Sequence, residues 1–405
     1  MAAAAAEKEE ITVWRAAFSA LCASLIGIGL ARFAYTPLIP ALIAAHWFTP
    51  AQAAYLGAAN LAGYLIGALF AGRIGTARAV PWLRTMMLVA TLSFLASAWR
   101  LPFAWFFLWR FAAGASGGAL MVLAAASVLP HVPPGRRGRV GGMIFTGVGL
   151  GIAASGTLVP ILIQFGLRET WISFGLAALV LTVAAWSGWP RAKRVLTVVP
   201  KSSPAGSFAP RGFGRPFVIL CVEYALNAVG LVPHMVFLVD YIARGLGQGL
   251  GIGGMYWTIF GIGAISGPML MGMLADRVGF RRTLRLAFVV QAAAVALIAV
   301  TDRPSALTVS SLTVGLFVPG VVPLVLGRMH ELVHDADRRQ AAWSWCTTAF
   351  AIGQALAAYG FSYLFAQTGG AYALMFTLAA AALVAAVLLD ILQPGRTARH
   401  RSEPP

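Results

Sequence analysis

Six residues inside otherwise apolar runs could do chemistry: Arg32, Tyr35, Arg110, Glu223, Asn227 and His234. A charge at the centre of a bilayer costs on the order of 2.5–3.5 kcal/mol on insertion scales, so such residues need a reason. Glu223, Asn227 and His234 are spaced four and seven apart, which at about 100° per residue keeps them within about 40° of one helical stripe. Pro233 removes a backbone hydrogen bond beside His234 and allows a bend there. Glu223 is the acidic residue set deepest in an apolar run, whereas Asp240 and Asp390 stand at run ends. A carboxyl able to pass between charged and neutral forms suits the carriage of a proton, and the His234 imidazole is a second candidate. Each also has a plainer reading: a fixed ion pair with Arg215 or another nearby base for Glu223, and a hydrogen-bonded packing histidine for His234. Tyr35 follows Arg32 by three residues and so shares its helical face. Arg32 and Arg110 read either as anion partners or as structural arginines satisfied by neighbouring carbonyls.

A different chemistry is offered by His330-Glu331-Leu332-Val333-His334, which fits the H-E-x-x-H pattern of zinc proteases. On a helix it would set two imidazoles on one face with the glutamate as general base, the site of an intramembrane metalloprotease. No distant third ligand stands out, and the motif runs straight into the charged stretch Asp335, Asp337, Arg338 and Arg339. A solvated helix end fits better. No metal site, no cofactor and no enzymatic activity are expected, and without a Walker A sequence ATP is not the implied energy source.

The elements that must position these side chains are membrane helices. With 59% hydrophobic and 11% charged residues in 405, the chain is far more apolar than soluble proteins of its length. Runs near the roughly 20 residues needed to cross a bilayer occur at 14–43, 53–72, 80–98, 102–130, 140–164, 170–189, 216–241, 254–275, 284–301, 305–328, 341–366 and 369–391. The intervening 190–215 holds four prolines and six basic residues and reads as a flexible linker between a bundle at 14–189 and another at 216–391. Residues 1–13 and 392–405 read as tails. The net charge of +17 would suggest nucleic acid in a soluble protein. Here the lysines and arginines concentrate in alternate loops and the tails, as the positive-inside rule requires, with both termini cytoplasmic. Nucleic-acid binding is thereby set aside. Cys22, Cys221 and Cys346 fall in apolar runs at spacings that imply neither a disulfide framework nor a metal site.

Gly272-Met-Leu-Ala-Asp276-Arg277-Val-Gly279-Phe-Arg-Arg282 is a short charged segment between two apolar runs, with glycines at 272 and 279 for a tight turn. It resembles the loop signature G-x-x-x-D-R-x-G-x-R-R of major facilitator superfamily transporters. An echo stands 204 residues earlier, where Arg73, Gly75 and Arg78 match Arg277, Gly279 and Arg282, and Gly72 replaces Asp276. The same offset carries Gly57 and Gly63 onto Gly261 and Gly267, and Gly149 and Gly156 onto Gly353 and Gly360. Arg110-x-x-x-Gly114-x-x-Gly117-Gly118 resembles a second superfamily signature. Gly29-Leu-Ala-Arg-Phe-Ala-Tyr-Thr-Pro-Leu-Ile-Pro40 closely resembles the first-helix signature of the YbfB/YjiJ branch.

The resemblance implies an all-α membrane protein, twelve transmembrane helices in two pseudo-symmetric six-helix bundles. It also implies that spans 1, 4, 7 and 10 line a central cavity. Arg32, Tyr35, Arg110, Asn227 and His234 are then expected to bind the solute, and Glu223 to couple protons. Gly272, Asp276, Arg277, Gly279 and Arg73 are expected to gate. Asp276 should approach the start of the fifth span near Gly141, against Arg136, Arg137 or Arg139, in one state and leave it in the other. The expected protein is a monomeric secondary transporter of the cytoplasmic (inner) membrane, its partners a small solute, protons and the lipid bilayer. Two cavity arginines lean towards an organic anion. A proton-driven exporter of neutral or cationic compounds, with Glu223 as counter-charge, and a non-transporting membrane sensor stay open.

Overall fold

The computed structural model describes residues 2–74, 76–133, 136–190 and 213–393, with the side chains of 2–11, 76–77, 137–138, 336–337 and 340 left out of the description. Gly75 of the echo, nearly all of the 190–215 linker and the tail beyond 393 lie outside the described residues. Among the described residues there is no strand, and twelve helices are long and apolar enough to cross a membrane. They are α1 (Thr12–Ala44), α2 (Pro50–Ala71), α3 (Arg78–Ala96), α4 (Phe103–His131), α5 (Arg139–Phe165), α6 (Leu167–Ala185), α7 (Arg215–Gly245), α8 (Gly249–Val278), α9 (Phe280–Val300), α10 (Pro304–Leu332), α11 (Ala341–Thr368) and α12 (Tyr372–Leu392). Helix is forced by the solvent, since a lipid-exposed backbone must satisfy its own amides. The first helix reaches back to Ala2, ahead of the expected start at 14, because its opening alanines are the strongest helix formers.

An even number of spans puts both chain ends on one face, here the terminal face; the opposite one is the far face. α1 to α6 pack on one another, and α7 to α12 do the same. The duplication read from the glycines is structural. Gly63 on α2 lies against the backbone of Phe111 and Ala115 on α4, and its counterpart Gly267 on α8 lies against the backbone of Leu316 on α10. Neither site has room for a Cβ, so two helices in each half meet backbone to backbone.

The halves join along α5–α8, α2–α11 and α1–α7. Trp257 Nε1 donates to Ser155 Oγ at 3.1 Å, and the Thr157 and Thr258 hydroxyls lie 3.2 Å apart. Thr36 Oγ1 donates to the Met235 carbonyl at 2.5 Å, and the Tyr55 and Tyr359 rings lie 6.3 Å apart. All four ties sit between the middle of the helices and the far face. Large apolar side chains such as Val180, Val183 and Leu356, each at least 66% exposed, face outward, as a lipid contact requires.

Two local features depart from expectation. Gly272 is not at the turn: α8 continues to Val278, and Gly279 alone, at φ 92°, makes the joint into α9. The sequence spacing also hid a thiol contact, for Cys221 on α7 and Cys346 on α11, both buried and unbridged, approach to 3.5 Å.

Candidate functional site

α1 is not a uniform helix. Leu25–Leu30 is a π-helical stretch and residues 31–34 form a turn, with Ala31 N donating to Ile26 O at 2.8 Å and Phe33 N to Ile28 O at 3.3 Å. Gly29 permits it, because helix α5 passes so close that a Cβ there would meet the Gly151 backbone at 2.8 Å. Wide turns of this kind leave carbonyls with free lone pairs and are common at functional positions.

Arg110 uses those carbonyls. Its Nη1 donates to Ala31 O at 2.8 Å and its Nη2 to Arg32 O at 3.5 Å, while Asn60 Nδ2 donates to Arg110 O at 3.1 Å. The Arg110 guanidinium also stands 4.2 Å from the centre of the Tyr35 ring, whose hydroxyl donates to Ala53 O at 2.9 Å. The two Nη atoms of Arg110 thus meet neighbouring carbonyls, while its Nε is buried without a partner among the described residues. Tyr35 turns towards Arg110 instead of Arg32, because the break at 31–34 upsets the regular three-residue spacing.

Arg32 is placed differently. Its guanidinium lies between two rings, 5.1 Å from the centre of Phe33 and 4.9 Å from that of Tyr64. Among the described residues its one hydrogen bond runs from Nη2 to the Met235 thioether at 3.9 Å, and its Nε is buried without a partner. No carboxylate pairs with it among the described residues. The rings supply some attraction, but a thioether is a weak acceptor. Arg32, Tyr35 and Arg110 do line one cavity, with Asn60, Met235 and Val236, and it has room for about one water molecule.

The polar stripe of α7 holds but points the other way. Asn227 Nδ2 donates to Gln291 Oε1 on α9 at 2.6 Å. The His234 ring nitrogen Nε2 lies 2.9 Å from Ser310 Oγ on α10, and the ring packs edge-on against Phe376 of α12 at 5.1 Å. Since Ser310 gives its own proton to Ala294 O at 2.6 Å, it accepts from His234, which places a proton on Nε2. Glu223 Oε1 accepts from Gln393 Nε2 at 3.1 Å, not from Arg215. All three side chains therefore face the interior of the second bundle, away from Arg32: buried polar groups turn to the nearest partners, and α9, α10 and the end of α12 supply them.

Sequence reading missed three arrangements. Asp240 is not at a helix end, because α7 continues through a π-turn over Tyr241–Gly245. It is 1% exposed, accepts from Tyr372 Oη at 2.6 Å and pairs with Arg244 at 3.1 Å. Asp390 near the end of α12 takes Arg281 at 3.0 Å and also Arg285, so two basic residues in the first turns of α9 tie that helix to α12. Gln354 on α11, 1% exposed, donates to Met235 Sδ at 3.6 Å and leaves Oε1 unpartnered. The first two could not be found without the fold. Gln354 carried the same signal as Asn227, a lone amide in an apolar run.

The remaining expected residues lie at the terminal face. Asp276 and Arg277 are exposed, and so is Arg73 just beyond α2. Asp276 makes no ion pair among the described residues, so the expected contact near Gly141 is absent in this conformation; the Arg137 side chain lies outside the described residues. The H-E-x-x-H geometry is also absent. α10 ends at Leu332 with Val333 extended, which takes His334 off the helix, and Glu331 is paired with Arg328 at 2.7 Å. Among the described residues no three His, Cys, Asp or Glu side chains gather to hold a metal.

Comparison with known proteins adds two findings. Residues 24–391 match the family described as "Uncharacterised MFS-type transporter YbfB". A Haemophilus influenzae protein provisionally named as a metabolite transport protein is 22% identical over 370 residues, covering 85% of this chain and 87% of its own.

Proposed function

The chain belongs to the family of MFS-type transporters typified by YbfB, and from that premise we propose that it moves a small organic anion across the cytoplasmic membrane by alternating access, coupled to protons. One observation carries this reading: Arg32, at the meeting of the two halves, is a guanidinium inside the bilayer with no anion of its own. A half-buried cation that lacks a counter-charge at this depth favours an anionic visitor.

The ties between the halves gather towards the far face, and Asp276 at the terminal face is unpaired. This supports a conformation open to the terminal face, which the distribution of arginines assigns to the cytoplasm. Asp276, Arg277, Gly279 and Arg73 would then close on the first bundle in the opposite state. Glu223, within reach of Gln393 near that face, is the proposed proton carrier, and a single chain contains every part of the mechanism. Export of a cation with Glu223 as counter-charge has less support, because Glu223 faces α12 and not the cavity.

The test is flux in proteoliposomes of the full chain with a pH-sensitive dye inside, challenged by organic acids, sugars, amino acids and cationic drugs. Organic acids should move protons, and Arg32→Ala should lower that transport about a hundredfold, the effect of losing about 3 kcal/mol of charge-assisted bonding. Flux of cations alone, unaffected by Arg32→Ala, would overturn the anion assignment.

A further inference from the structure

Met235 is the odd member of the central site. Two strong donors, Arg32 Nη2 from the first half and Gln354 Nε2 from the second, both reach its sulfur, at 3.9 and 3.6 Å. Among the described residues neither donor has another acceptor, and Arg32 Nε and Gln354 Oε1 are buried without a partner. A thioether accepts hydrogen bonds poorly, so a half-buried guanidinium and a fully buried amide are directed at a group that satisfies neither well. Polar groups left in this condition away from water destabilise the empty site, more so when charged. Methionine is unbranched and flexible, so the thioether can leave the gap without disturbing the helix that carries it.

We propose that Arg32 and Gln354 clamp the carboxylate of the solute between the two halves, and that the Met235 thioether holds the place until it arrives. The proposal rests on the transport reading and adds the ligand chemistry. A carboxylate offers two oxygens, each taking a donor at about 2.9 Å, and so spans a gap that one sulfur now bridges. The solute carries one such group. Of the two cavity guanidiniums, Arg32 donates to no carbonyl among the described residues, whereas Arg110 gives Nη1 and Nη2 to Ala31 O and Arg32 O and leaves only its Nε without a partner. Phe33 and Tyr64 flank the guanidinium, so the rest of the solute is apolar or aromatic. Because the donors come from opposite halves, an anion seated between them draws the halves together, whereas the empty site leaves the weak sulfur contact.

The test is equilibrium binding, read as thermal stabilisation of the full chain in detergent and kept separate from flux. The probes are hexanoate, benzoate and phenylacetate, with phenylacetamide and succinate as controls. Stabilisation by at least one monocarboxylate, with none by phenylacetamide and less by succinate, is expected. Gln354→Ala should weaken that binding about tenfold, and Met235→Leu, which keeps the volume and removes the sulfur, should leave it unchanged or tighten it. Gln354→Glu should give Arg32 a permanent internal partner: its ligand-free melting temperature rises by a few degrees, no monocarboxylate shifts it further, and Arg32→Gln in that background cancels the rise. Binding that ignores Gln354→Ala, equal stabilisation by phenylacetate and its amide, or no rise in Gln354→Glu would each overturn the clamp. The transport reading fails separately, through absence of solute flux in proteoliposomes of the unaltered chain.

Discussion

The two halves of the molecule share a backbone plan and differ in the sign of what they bury. Within α1 to α6 the interior charge is cationic, Arg32 and Arg110, and no carboxylate is buried among the described residues. Within α7 to α12 it is anionic, with Glu223, Asp240 and Asp390 all at most 5% exposed. At the offset that superposes the packing glycines, Arg32 faces Val236, Arg110 faces Val314, Glu223 faces Ser19, Asp240 faces Thr36 and Asp390 faces Trp186. Ser19 Oγ donates to Ala185 O at 3.0 Å, tying α1 to α6. Its counterpart Glu223 meets Gln393 at the end of α12, tying α7 to the same place in the second bundle. One half closes this joint with a neutral bond and the other with an ionisable one. Duplication kept the close helix packing that a bilayer demands and let the charges diverge, so the divergent positions are where function is to be sought.

The largest effect should come from erasing that difference. Glu223→Ser copies the first half into the second: it keeps a hydrogen-bonding hydroxyl on that face of α7 and removes the titratable group. If protons travel through Glu223, accumulation of the solute against its gradient should stop, while solute exchange at equal concentrations stays within about twofold, because the exchange step needs no net proton movement. Counterflow and pH-driven uptake in the same vesicles measure both. Uphill uptake that survives would remove Glu223 from the mechanism and send the search to Asp240, the other buried carboxylate of α7.

A middling effect should separate the two arginines of the first half. Arg110→Ala takes the guanidinium from the Ala31 and Arg32 carbonyls at the break in α1 and leaves Ala31 O only the longer bond from Asn60 Nδ2 at 3.5 Å, which should cost about 2 kcal/mol of stability. Binding of a monocarboxylate, measured on the protein that remains folded, should change less than threefold. A large loss of binding with stability intact would make Arg110 a solute ligand after all.

How far the sequence reaches is clear from such pairs. Hydropathy marked every span, with ends displaced by a few residues: the first was expected at 14–43 and runs Thr12–Ala44, and the eighth was expected at 254–275 and runs Gly249–Val278. It works because the bilayer imposes length and composition on each helix separately. The stripe on α7 was legible as a stripe, since periodicity is local. Its direction was not, because Gln291, Ser310 and Gln393 are brought to it only by tertiary packing. The same limit hid the meeting of Met235 and Gln354, 119 residues apart, and the π-turn that takes Tyr35 away from Arg32.

The smallest effect concerns the loop that first suggested duplication. Gly279, at φ 92° and ψ 149°, makes the joint between α8 and α9, a conformation essentially only glycine adopts, so a side chain there should cost about 1–3 kcal/mol. Gly272 sits in helix, an added Cβ would touch nothing within 4 Å, and the first half carries Ala68 at the matching position. Gly272→Ala should therefore raise stability by about 0.5–1 kcal/mol through helix propensity alone and leave transport rates unchanged. That outcome makes Gly272 a passive member of the signature and leaves Gly279 as the hinge. Slower transport in a protein of equal or greater stability would mean instead that the last turns of α8 must bend or be closely approached in the opposite state, and that the terminal ends of the two halves differ in motion as well as in charge.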